Sequence, residues 1–144
     1  MKLDKDRIEN YLRDIKLRTG EIENLVNNYS QNEILSQKWI IRGLKYLLIE
    51  IAEIMANTLT HILAKGRGES VTGYVETIIK AGETGIISKN LANKLKPFFD
   101  FRNSIIHRYW IISDDKLLAL VRDNYKDFYN FIEEIEKYFK RIKY

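Results

Sequence analysis

The chain is predicted to be an all-α bundle of four or five up-and-down helices, and three observations predict it. Apolar residues recur at three- and four-residue steps in nearly every segment, the period of a helix with one face on a core. No segment shows the two-residue alternation of a half-buried strand. Glycines and small polar capping residues fall between the periodic runs, where helices stop and start.

In the first run Ile8, Tyr11, Leu12, Ile15, Ile22, Leu25, Val26 and Tyr29 form an amphipathic stripe, placing a helix over about residues 4–28. Ser30 or Asn32 is the expected cap of the next helix. That second helix, about 33–65, is apolar on most faces, through Ile40, Ile41, Leu44, Leu47, Leu48, Ile51, Met55, Leu59, Ile62 and Leu63. It is the expected centre of the bundle. Gly66-Arg67-Gly68 ends it, and a short helix follows from about Thr72 to Lys80, with Gly82 and Gly85 marking the turn beyond.

Ser88 caps a further helix that turns Leu91, Leu95, Phe98 and Ile105 inwards. Pro97, the one proline, lies inside it and is expected to kink it or mark a restart. Ser113-Asp114-Asp115 opens the last helix, about 114–141, which carries Leu117, Leu118, Val121, Tyr125, Phe128, Phe131, Ile132, Ile135 and Phe139. With no internal repeat or low-complexity linker, residues 1–144 read as one domain.

Composition narrows the function classes. At 45% hydrophobic and 31% charged residues the 144-residue chain is an ordinary globular sequence, and its net charge of +4 suits an anionic partner without requiring one. The absence of cysteine excludes disulfides, thiolate nucleophiles and cysteine-ligated zinc. With His61 and His107 the only histidines, a histidine metal cluster within one chain is not expected, and neither a metal nor a cofactor is assigned. The start, Met1 to Arg7, lacks the apolar core of a signal peptide. The most apolar run, Trp39 to Ala56, could not span a bilayer without burying Arg42, Lys45, Glu50 and Glu53, so a cytoplasmic protein with no membrane role is expected.

The chemistry concentrates in Phe98 to Trp110. On a helix the neighbours of Arg102 three and four residues away are Phe98, Phe99, Ile105 and Ile106, so a permanent charge sits among apolar side chains. Such a charge is costly unless it lines a cleft or has a partner. Two readings stay open: a structural ion pair, with Asp100 or a glutamate of the terminal helix, or a phosphate-holding group. His107 follows five residues later, as a helix C-terminal cap or as a proton-transfer group. At about 100° per residue, Asn103 and His107 share a face whereas Arg102 and His107 diverge by roughly 140°. Either the helix unwinds before His107, or a second copy of the chain supplies the complementary group.

Arg102-Asn103-Ser104-Ile105-Ile106-His107-Arg108-Tyr109 resembles the Arg, four residues, His, one residue, Tyr pattern of the HepT-like toxins of the HEPN superfamily. Ile87-Ser88 and Leu91 upstream, the Phe101-Arg102-Asn103 context and the helix order extend the likeness over essentially the whole chain. The resemblance implies a HEPN-type bundle with one short helix before the motif helix. It also implies a metal-independent endoribonuclease acting as a homodimer, the toxin of a toxin–antitoxin pair. Its antitoxin would be a minimal nucleotidyltransferase (MNT) that transfers AMP from ATP to the motif tyrosine. On this chain Arg102 and His107 would be catalytic, Asn103 supporting and Tyr109 the modified residue, while Pro97 departs from the more regular helix of the family.

RNA is the expected substrate, since its 2′-hydroxyl can attack the adjacent phosphate. Lys89, Lys94, Lys96 and Arg108 either track the RNA backbone or form a solvated face. Tyr109 beside Trp110 also reads as core packing, and Trp39 and Trp110 as core or dimer-interface anchors. His61, among Leu59, Ile62 and Leu63, is given no functional role. The alternative function is a noncatalytic helical dimerisation or interaction module that binds a nucleotidyltransferase partner. A nucleotide-binding domain has no glycine-rich phosphate loop to support it.

Overall fold

The computed structural model describes residues 3–107 and 113–142, and among these every regular element is helical. Helix α1 spans Lys5–Asn28, α2 Gln31–Ser36, α3 Lys38–His61, α4 Tyr74–Glu83, α5 Lys89–Ile106, α6 Asp114–Asn124 and α7 Lys126–Arg141. If α2–α3 and α6–α7 are each taken as one interrupted run, five runs make the bundle.

The starts follow capping chemistry. Asp4 accepts the Arg7 N–H at 3.0 Å, and Ser30 forms a reciprocal box with Glu33 at the head of α2. Ser88 accepts the Leu91 N–H at 3.1 Å, and Ser113 accepts that of Lys116 at 3.4 Å. Between Ser30 and Asn32 as the second cap, Ser30 holds the position.

The helix expected over 33–65 is divided at Gln37, whose φ of −113° and ψ of 100° are extended. The bend lets α2 carry Ile34 fully into the core. The expected 114–141 helix is interrupted more gently. Tyr125 keeps helical angles while the Phe128 N–H bonds its carbonyl, three residues back, at 3.0 Å. Beyond α3 the chain widens into one π-helical turn, Ile62–Gly66, and stops at Gly68, where φ is 65°. The continuous run Lys38–Gly66 is long and apolar enough to cross a membrane, but 56% of its most apolar window is buried inside the bundle.

Gly82 is not a turn residue as expected; it lies inside α4. A Cβ there would stand 2.9 Å from the Cβ of Ala92, so glycine lets α4 and α5 approach closely. Gly85, with φ of 79°, makes the turn. Pro97 produces no restart, for α5 runs unbroken through it. It lies on an exposed side, where water can take the carbonyl that its missing N–H leaves unpaired.

The core fills from all the long helices. Ile8, Ile15 and Ile22 of α1, Leu44, Leu48, Ile51 and Met55 of α3, and Phe98 and Phe99 of α5 are buried to 1% exposure or less. Phe128 and Phe131 of α7 complete it, with the Phe98 and Phe128 rings 4.8 Å apart in an edge-on arrangement. Each such side chain contributes about 1.5–3 kcal/mol through burial, so this aromatic layer fixes the rotation of α5 and hence the direction of its polar residues.

Candidate active site

Phe98, Phe99, Phe101 and Ser104 face the interior along the last two turns of α5, and the Ser104 hydroxyl donates to the Phe101 carbonyl at 2.7 Å. Arg102 therefore emerges at the edge of the core, its side chain 14% exposed. Its Nη2 donates to Glu53 Oε2 of α3 at 3.0 Å, and its Nη1 to Asn103 Oδ1 at 3.3 Å. The guanidinium lies 3.8 Å over the ring of Tyr74, the first residue of α4. Three helices thus hold one cation.

The arginine has an ion-pair partner, but neither of those expected. Asp100 takes Lys96 instead, at 3.0 Å one turn away on α5, and Glu53 comes from the central helix. The packing of α3 against α5 decides this, since it faces the partly exposed Glu53 carboxylate towards Arg102. Arg102 Nε is buried with no hydrogen-bond partner, as are the Nε atoms of Arg18 and Arg122. The orphan donor is therefore not peculiar to this site.

Asn103 is half-buried beside Arg102, and His107 is exposed at the C-cap of α5. The His107 N–H still donates to the Asn103 carbonyl at 2.9 Å, so the helix does not unwind before His107. Regular geometry keeps Asn103 and His107 on one face and sets Arg102 roughly 140° away round the axis. Of the two ways of bringing both groups to one phosphate, unwinding within α5 is absent.

The basic residues divide. Lys94 is exposed, and Lys96 is engaged with Asp100. Lys89 lines a cleft of about 500 Å3 with Glu134, Lys137 and Arg141, to which Arg102, Asn103 and His107 do not contribute. Arg108, Tyr109 and Trp110 lie outside the described residues. Trp39 is 78% exposed and so is no core anchor. His61 is buried and accepts the Asp4 backbone N–H at 2.9 Å, tying the start of α1 to the end of α3. Among the described residues no three His, Cys, Asp or Glu side chains gather as metal ligands would.

Glu53 and Tyr74 were not legible as site residues. Glu53 did carry a signal: Glu50 and Glu53 interrupt an apolar helix, and each is answered by an arginine from another helix, Arg18 at 3.2 Å and Arg102 at 3.0 Å. Tyr74 carried none, because its role depends on where the loop before α4 returns to the bundle.

A helical bundle of this order, with an arginine and a histidine five residues apart at the end of its fourth run, has the HEPN fold. The family model for ribonuclease HepT-like proteins matches residues 8–135, and the chain belongs to that family. Its fold is similar to the tri-AMPylated Shewanella oneidensis HEPN toxin in complex with MNT antitoxin, at 20% identity and a TM-score of 0.82, covering 92% of this chain and 98% of that one. The cytosolic protein YutE from Bacillus subtilis, of unknown function, is similar at 12% identity and a TM-score of 0.81, covering 96% and 92%. A mutant of the toxin-antitoxin MntA-HpeT matches at 20% identity and 0.78, covering 92% and 98%. No curated protein matches the chain.

Proposed function

We propose that this chain is a metal-independent endoribonuclease and the toxin of a HEPN/MNT toxin–antitoxin pair. The observation that carries the reading is that α5 ends on Arg102, Asn103 and His107, a cation at the edge of the core and an exposed imidazole five residues beyond it. In the reaction the RNA 2′-oxygen bonds to the adjacent phosphorus and the bond to the 5′-oxygen breaks, leaving a 2′,3′-cyclic phosphate and a 5′-hydroxyl. His107 accepts the 2′-hydroxyl proton or donates one to the leaving oxygen, a role worth about 10²–10⁴ in rate for a well-placed group. Arg102 holds the phosphate oxygens and stabilises the charge that gathers on them.

With α5 regular to its end, the complementary group comes from a second copy. A homodimer that sets two such helices across one groove would offer two histidines to divide the base and acid roles. Arg108, Lys94 and Lys96 would follow the RNA backbone, Lys96 after release from Asp100. The solved relatives in complex with MNT antitoxin support an MNT-type nucleotidyltransferase as partner, and the similarity to the cytosolic YutE supports a place in the cytoplasm. AMP added to Tyr109 would place a phosphate within a few residues of Arg102 and His107 and compete with the substrate's phosphate.

The test is RNA cleavage in excess chelator by the native chain, Arg102→Ala and His107→Ala, with the product ends identified. Cyclic phosphate ends, lost in both folded variants, are expected. A second reading, a noncatalytic module that binds the transferase, is favoured by the engagement of Arg102 with Glu53 and Tyr74. An inert native chain with an unmodified Tyr109 would put that reading first.

A further inference from the structure

Of the three most exposed large apolar side chains among the described residues, two are on α3, Trp39 at 78% and Tyr46 at 64%, and the third is Leu17 of α1 at 64%. Residues 39, 46 and 53 are two heptads, so they lie within about 40° of one another round α3 and advance about 10.5 Å per step. The stripe therefore leads along α3 from Trp39 through Tyr46 to Glu53, the residue bonded to Arg102.

From Lys38 to Ile49, before Glu50 and Glu53, its charge has one sign. No Asp or Glu occurs between residues 38 and 49, whereas Lys38, Arg42 and Lys45 do. Lys45 is bridged to Asp114 at 2.7 Å, but Lys38 and Arg42 enter no ion pair among the described residues. Arg42 lies 5.2 Å from the Trp39 ring centroid, bracing one face of an indole whose remaining surface is open. Between these groups stands Gly43, where an added Cβ would meet nothing within 4 Å. A glycine in a helix interior costs about 1 kcal/mol against alanine, and no neighbour within the chain requires this one. It leaves a shallow place between Trp39 and Tyr46 where a ligand can approach the backbone.

We infer that the Trp39–Arg42–Tyr46 face of α3 is a track for single-stranded RNA, which stacks bases on the two rings and leads the strand to Arg102. The inference rests on the ribonuclease reading and adds the residues that choose unpaired RNA. Cations alternating with exposed aromatic rings suit this polymer: the rings take the free faces of bases and the cations take phosphates. A duplex hides those faces in its own stack. An apolar partner would gain nothing from Lys38 and Arg42.

The experiment is binding of a fluorescent 2′-O-methyl single strand, which cannot be cut by 2′-hydroxyl attack, to the native chain and to Trp39→Ala, Tyr46→Ala and Trp39→Phe. Both alanine variants should bind about 5- to 150-fold more weakly, the range of one base–ring stack, while Trp39→Phe keeps most of the affinity. The same oligonucleotide annealed to its complement should not distinguish the variants. Both residues are exposed, so the variants should keep the native helical content and, by light scattering, the native mass. Absence of binding by the native chain, or equal binding by the alanine variants, overturns the track. A loss of affinity that follows a loss of mass overturns it too and makes this face a contact between copies. A native chain that binds through both rings yet cuts no RNA would sink the ribonuclease reading while sparing the track, and cleavage indifferent to both rings would do the reverse.

Discussion

Arg102 Nη2 stands 3.0 Å from Glu53 Oε2, across the contact between α5 and the central helix. The pair aims a guanidinium whose side chain is 14% exposed, while the carboxylate, at 38%, keeps contact with water. On the ribonuclease reading Glu53 is a positioning residue. Glu53→Gln is expected to lower kcat for RNA cleavage about tenfold, roughly 1.4 kcal/mol of transition-state stabilisation, with a smaller change in KM. Equal loss through KM alone would assign the carboxylate to binding instead.

Tyr74 supports the same cation from its other face, at 3.8 Å. Tyr74→Ala should destabilise the fold by about 0.5–2 kcal/mol, and Tyr74→Phe, which keeps the ring, by much less. Denaturant unfolding of the two variants separates ring stacking from any role of the phenol hydroxyl.

Gly82 and Ala92 set the approach of α4 to α5, and through it the distance from Tyr74 to Arg102. Gly82→Ala would bring two Cβ atoms to 2.9 Å and should cost about 1–3 kcal/mol as an overpacked contact. Adding Ala92→Gly should return part of the lost stability. A double variant no better than the single one would show that the contact is not the cause.

His61 couples the start of the chain to pH. Its ring accepts the Asp4 N–H, which requires a neutral imidazole, and burial followed by the nearby Arg7 charge lowers its pKa, partly opposed by Asp4. A lowered histidine pKa means that the unfolded state binds more protons across the window. The stabilisation is therefore complete above the unfolded value of about 6.5 and is lost as pH falls through the folded value. Thermal unfolding of the native chain should drop relative to His61→Gln as pH falls below about 6.5. Parallel curves for the two proteins would remove His61 from the pH dependence.

The helix boundaries were largely legible because they rest on local rules. Ser30, Ser88 and Ser113 cap where small polar residues precede apolar runs, and the three- and four-residue spacing identified most of the buried positions. The breaks at Gln37 and Tyr125 were not legible. Neither residue is a helix breaker, and the interruptions arise from the way α2 and α7 must turn to bury Ile34 and Phe128. Gly82 was misplaced for a related reason, since a glycine that permits close packing and one that makes a turn look alike until the neighbouring helix is known.

By itself the sequence determined the all-α class, the helix caps and the family, and it singled out Arg102, Asn103 and His107 through charge on an apolar helix and a spacing of five. Only the tertiary structure decided what surrounds the arginine. Glu53 and Tyr74 stand 49 and 28 positions from Arg102 along the chain, and no local periodicity relates them to it. Their meeting depends on the rotation of α5, which the burial of Phe98 and Phe99 sets, and on the close approach of α4 that Gly82 allows. Local spacing decides which face a residue shares with its own helix; the shape of the packed core decides what that face meets.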